Sequence, residues 1–169
     1  MNKLDALAAH SSVKGVVVDL SIHLEIQAAY ALWDSLPQRA NPMAANFVAG
    51  HIKALLYRLA PSYPNLKYLV LIGDDRAIPF RRIRDETLVA NERNYADFAF
   101  ATPIAGSFQL RYFLTDDYYA GLLPFAVRGR EFYLPQVAIG RLVESPAEIV
   151  TALDAFLARP GVAPTDALV

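Results

Sequence analysis

The chain has 169 residues, 54% of them hydrophobic and 20% charged, with 16 basic against 17 acidic side chains and a net charge of −1. That balance gives no electrostatic case for nucleic acid or an anionic membrane surface, and no apolar run approaches the ~20 residues of a membrane-spanning helix. Cysteine is absent, which excludes disulfides, thiolate zinc sites and a cysteine nucleophile within this sequence but leaves the compartment open.

The length suits a single domain with one core. Residues 1–15, MNKLDALAAHSSVKG, hold Asp5 and His10 inside their apolar part and read as a helix of the domain, not a signal peptide. Residues 13–20, VKGVVVDL, form a β-branched run that predicts a strand covered on both faces. A helix follows over 23–36, with Leu24, Ala28, Ala31, Leu32 and Leu36 at helical spacing and Pro37 as its stop. Asn41-Pro42 opens a second helix, whose stripe is Val48, Ile52, Leu55, Leu56 and Leu59. Residues 61–64 break it, and 68–72 is the next buried strand. Strand, helices and strand make a parallel crossover unit. Both strands then point their C-terminal ends, Asp19 and Asp74-Asp75, at the edge where open α/β sheets place their ligands.

From 81 to 130 the pattern turns irregular and rich in Phe and Tyr, with short alternating pieces at 86–90 and 108–114 that predict a small antiparallel excursion. A segment this long is functional or an interface more often than a plain connection. A strand resumes at 137–139. Ser145-Pro146-Ala147-Glu148 then reads as a capping box opening a helix with Ile149, Leu153, Phe156 and Leu157 inward. The tail GVAPTDALV reads as the start of a further strand, as if the sequence were cut from a longer one. The expected fold is α/β, a mostly parallel sheet with helices on both faces. His10, His23 and His51 are scattered and read as ordinary surface or half-buried imidazoles.

Two chemistries compete for the strand-end acids. VVVDLS and VLIGDD resemble the strand ends that hold magnesium in phosphatases of the haloacid-dehalogenase type, which would assign Asp19, Asp74 and Asp75. Three features oppose this reading. Ser21 stands where the acid/base aspartate belongs, residues 76–84 carry no further acid, and about fifty residues between the two stretches leave no room for the intervening strands.

The second reading uses more of the chain. LVLIGDDRAIPF, FLTDDYYAG and FYLPQVAIGRLVESPAEIVTALDAFL occur in that order. This series resembles the gingipain-type cysteine peptidases, family C25 of the caspase-like clan. In that family a strand ending in Gly-Asp is followed by Ile-Pro, then a Ser/Thr-Asp with a nearby tyrosine, then a strand ending in Ile-Gly-Arg and a capped helix. The matching residues are Gly73-Asp74 with Ile78-Pro79, Thr115-Asp116 with Tyr118 and Tyr119, and Ile139-Gly140-Arg141.

The resemblance implies the first of two α/β halves, with the catalytic histidine and cysteine on the second. It therefore implies no catalytic residue and no cofactor here. The natural partner is the remaining catalytic half, and the exposed sheet edge beside 166–169 offers a route to self-association. Secretion or surface attachment is implied by the resemblance alone. Gly73, Asp74, Pro79, Asp116 and Arg141 are expected to pin the loop at the sheet edge, with Asp74 accepting from loop N–H groups, Arg76 or an arginine of 81–84. Arg141 is expected to pair with Asp19 or Asp74. The family's acid for a basic substrate side chain would fall between Tyr119 and Tyr133, where Glu131 is the acidic residue. A non-enzymatic interaction module using the aromatics of 95–133 is the remaining alternative.

Overall fold

The computed structural model describes residues 3–102, 104–121, 124–127 and 129–159. It is a mixed α/β structure that divides into two compact units, Leu20–Leu142 and the combination of Met1–Asp19 with Val143–Val169. The expected strand at 166–169 and the edge beside it lie outside the described residues.

In the smaller unit, α1 (Lys3–Ala9) packs against α6 (Pro146–Ala158). Lys3 pairs with Asp154, and the rings of His10 and Phe156 meet edge to face at 6.4 Å. The capping box at the start of α6 is complete. Ser145 Oγ accepts from Glu148 N, and Glu148 Oε2 accepts from Ser145 N at 3.0 Å. Residues 14–19 form no strand, and Lys14 has a left-handed φ of 51°, which corrects the sequence expectation for 13–20. β-branched residues favour a pleated surface only where a neighbouring strand supplies the ladder. Among the described residues no strand pairs with this stretch, and Val16 and Val17 are exposed.

The larger unit is built on two helices. α2 (Leu24–Asp34) and α3 (Pro42–Leu59) pack together, with Ile26, Ala29 and Trp33 buried on α2 and Ala45, Val48, Ala49 and Ile52 buried on α3. Complete burial of a side chain such as Ile26 or Val48 contributes about 1.5–3 kcal/mol. Asn41 caps α3, its side chain accepting from Met43 N at 2.9 Å, with proline at the first helical position as the sequence predicts. In α2 the outcome is reversed. The stripe Leu24, Ala28, Ala31, Leu32 and Leu36 faces solvent, and Leu24 is 77% exposed. The helix carries two apolar faces, and the one holding Trp33 is buried.

Three strand pairs complete the unit. β1 (Tyr68–Ile72) and β6 (Ala138–Leu142) are parallel, Tyr68 opposite Ala138 and Ile72 opposite Leu142. β2 (Arg81–Arg84) and β3 (Tyr112–Thr115) are antiparallel, as are β4 (Pro124–Val127) and β5 (Arg130–Tyr133). The parallel sheet is therefore small, two strands among the described residues, and it does not dominate the strand pairing. Within 81–130 the antiparallel pairing falls on 81–84 with 112–115. Residues 86–90 form no strand, and the start of the expected 108–114 strand closes the short helix α4 (Ala105–Gln109). No helix among the described residues is long and apolar enough to cross a membrane.

Candidate functional site

β1 ends at Ile72, and the chain turns at Gly73 with φ +123°. A Cβ at Gly73 would lie 2.5 Å from that of Ala77, so both the backbone angle and the space require glycine. From there to Phe80 most of the loop's polar atoms are tied.

Asp74 makes the first turn. Its Oδ1 accepts from the N–H groups of Arg76 and Ala77 at 2.9 and 3.2 Å, and its Oδ2 accepts from Arg76 Nε and Nη2. Burial alone would push this carboxyl up, but the bonds from Arg76 and Ala77 outweigh it and hold it below the usual range. Asp75 points inward. Its Oδ1 accepts from Phe80 N at 3.0 Å and its Oδ2 from Arg82 Nη2 at 2.5 Å, with Arg82 only 2% exposed.

The loop carbonyls are gathered by side chains from distant elements. Arg141 Nη1, on β6, donates to Gly73 O at 2.9 Å and Ile78 O at 2.8 Å, and more weakly to Asp74 O. Its other two nitrogens make a bidentate pair with Asp116 at 2.8 and 2.5 Å, and its guanidinium stacks 4.1 Å from the Phe80 ring. Tyr30 of α2 donates to Ala77 O, and the buried Tyr119 donates to Pro79 O. Arg82 Nη1 donates to Phe80 O at 2.6 Å. Pro79 itself is completely buried. Burial pushes the Tyr30 hydroxyl up to about 12 and raises that of Tyr119 as well, so both remain protonated donors.

The elements that hold these arms are themselves fixed by buried polar groups. Asp116 precedes α5 (Asp117–Ala120), where Thr115 Oγ1 accepts from Asp117 N at 3.1 Å. Lys53 of α3 donates to the carbonyls of Tyr118, Tyr119 and Gly121, closing the C-terminal end of α5. Burial pushes its ammonium down to about 8. Asn46, also on α3, exchanges two bonds with the backbone of Arg82, at 2.7 and 2.8 Å. Arg82 lies over the Trp33 ring, and its Nε donates to Ser107 Oγ.

The sequence-derived candidates thus fall into two groups. Gly73, Asp74, Pro79, Asp116 and Arg141 meet at one loop, where Arg141 is partnered by Asp116 and not by Asp19 or Asp74. Glu131 is elsewhere, on β5, with Oε1 and Oε2 accepting from Arg81 Nε and Nη2 at 2.7 and 2.9 Å. Burial would raise its carboxyl, but the bonds from Arg81 and Tyr133 hold it below the ordinary range. A basic substrate side chain would have to compete with Arg81 for it. Asp19 lies in the other unit, before the 3₁₀ turn Leu20–Ile22. The four oxygens of Asp74 and Asp75 already accept from protein donors. Among the described residues no three His, Asp or Glu side chains cluster closely enough to hold a metal ion.

Sequence reasoning missed Asn46, Lys53, Arg82, Tyr30 and Ser107. For two of them a signal existed, because Asn46 and Lys53 share the helical spacing of Ala45, Ala49 and Ile52. A polar residue in a buried stripe has to find partners inside.

The family model for peptidase family C25 matches residues 8–159. The chain belongs to peptidase family C25. No curated protein and no solved structure matches it. The matched span contains the complete tied loop together with Asp116 and Arg141, and the C25 chemistry that a cysteine nucleophile performs has no cysteine here to perform it.

Proposed function

We propose that this chain is the non-catalytic N-terminal half of a gingipain-like C25 catalytic domain, a rigid support for a half that carries the histidine and cysteine. The observation that carries this reading is a C25 match over most of a chain without cysteine, since a thiolate nucleophile and its histidine partner are the engine of a cysteine peptidase. On this reading β1 and β6 belong to a larger, mostly parallel caspase-like sheet with helices on both faces. The loop 73–80 is its braced edge. Gly73 allows the turn, Asp74 and Pro79 shape it, and Asp116 holds Arg141 across its carbonyls. Proteolysis belongs to the parent protein and requires both halves.

The test is reconstitution. The chain alone should not turn over fluorogenic peptides with Arg, Lys or other residues before the scissile bond. Co-expression with the parent segment bearing the cysteine should yield turnover that thiol reagents abolish. Turnover by the chain alone that survives purification, and is lost in Asp74→Asn or Asp75→Asn, would overturn the reading in favour of acid-based hydrolysis. Magnesium-dependent phosphatase assays on the same samples cover that alternative.

A further inference from the structure

We infer that the groove beside β2 is a binding site for an acidic, extended peptide segment, which joins the free edge of that strand at Arg84. The inference rests on the ladder of β2 and β3. Asp85 N donates to Arg111 O at 2.7 Å, in register with the pairing of Ile83 with Phe113. Hydrogen-bonded and non-bonded residues alternate in an antiparallel pair, so Ile83 and Asp85 direct their backbone groups at β3 while Arg82 and Arg84 direct theirs away.

At Arg82 the outward edge is already occupied. The Asn46 side-chain amide accepts from Arg82 N and donates to Arg82 O, the two-point pairing that a neighbouring strand would make. The next outward position, Arg84, lies in a groove of about 250 Å³. The walls of this groove are set by two ion pairs, Arg81 with Glu131 and Arg130 with Glu86. Met43 and Tyr112 add apolar surface at its rim. Of the four described arginines lining it, Arg81, Arg82 and Arg130 are paired with carboxylates, and Arg84 has no carboxylate partner among the described residues. Backbone pairing supplies affinity that is independent of side chains, and the unpaired guanidinium supplies a preference for acid.

The experiment uses a fluorescein-labelled peptide of alternating glutamate and valine, its fully N-methylated counterpart, and a lysine–valine counterpart. The glutamate peptide should bind and shift the Arg84 amide resonance. N-methylation removes the peptide N–H that donates to Arg84 O and should weaken binding by about fivefold or more, the worth of one lost backbone bond. Arg84→Pro removes the guanidinium together with an outward N–H, which an edge strand tolerates, and should weaken binding of the glutamate peptide further than Arg84→Gln does, without altering the melting temperature. Arg84→Gln keeps the backbone and should bind the glutamate and lysine peptides alike. Failure of the glutamate peptide to bind, or equal binding of its N-methylated counterpart, would overturn the inference. If Arg84→Pro does not fold, the N-methylated peptide and Arg84→Gln decide the matter.

Discussion

Two segments of the larger unit show opposite ways of ordering a connection. The loop 73–80 is short, and its carbonyls are held by Arg141, Tyr30, Tyr119 and Arg82, side chains from four separate places in the chain. The segment 85–100 is longer and is tied mainly to itself. Asp85 accepts from Thr87 N, Thr87 Oγ1 and Glu92 N, and Asn91 donates back to the carbonyls of Asp85 and Thr87. Beyond that neck Leu88, Val89, Phe98 and Phe100 stand in water, each at least 80% exposed. The first loop is fixed by the whole fold, whereas the polar ties of the second are local, and it buries Ala96 and Ala99 but leaves its larger apolar side chains Leu88, Val89, Phe98 and Phe100 unused.

The difference can be broken most sharply at the long-range arms. Arg141→Met strands the part-buried Asp116 carboxylate and leaves three loop carbonyls without their donor, a loss of about 3–5 kcal/mol by the usual cost of breaking a buried pair. Urea unfolding should show this as a large drop in midpoint with an unchanged slope. Arg82→Met should cost a similar amount, and adding Asp75→Leu should recover part of it, because the unpaired charge is then gone. Gly73→Ala forces a side chain into φ +123° and against Ala77, for about 1–3 kcal/mol by thermal or urea denaturation.

Acid should act on both segments. The carboxyls of Asp74, Asp85 and Glu131 are held below their ordinary values of 3.8, 3.8 and 4.5 in the folded protein. The unfolded chain therefore takes up protons first as the pH falls. Stability is full above the ordinary carboxylate range and is lost progressively below it. The urea midpoint should fall on acidification, and by less in Asp85→Asn than in the native sequence. Smallest of all, Leu88→Ser or Phe98→Ser should move stability of the isolated chain by no more than about 0.5 kcal/mol, since neither side chain is buried.

The short loop was largely legible in the sequence. Gly-Asp followed by Ile-Pro, Thr-Asp and Ile-Gly-Arg are local signatures, and the five residues they picked out converge at 73–80. Helix ends were equally legible, because Asn41-Pro42 and Ser145–Glu148 carry their capping chemistry within a few residues. What could not be read were choices made by tertiary neighbours. α2 offers two apolar faces, and only the presence of α3 selects the one with Trp33. Residues 13–20 have strand composition but no ladder beside them among the described residues. The partner of Arg141 is Asp116, 25 residues before it, and that of Asp75 is Arg82 rather than a metal-binding acid. The identity of a partner across the fold is not a property of local spacing.

Native-state amide hydrogen exchange tests the central claim, that 73–80 is a braced support, most directly. The N–H groups of Arg76, Ala77, Ile78 and Phe80 are all bonded within the loop, to Asp74 or Asp75. They should exchange far more slowly than the amides of Leu88 and Val89, and Arg141→Met should raise their rates toward those of Leu88 and Val89. Exchange of the 76–80 amides as fast as that of Leu88 and Val89 in the native sequence, or indifference to Arg141→Met, would contradict the account.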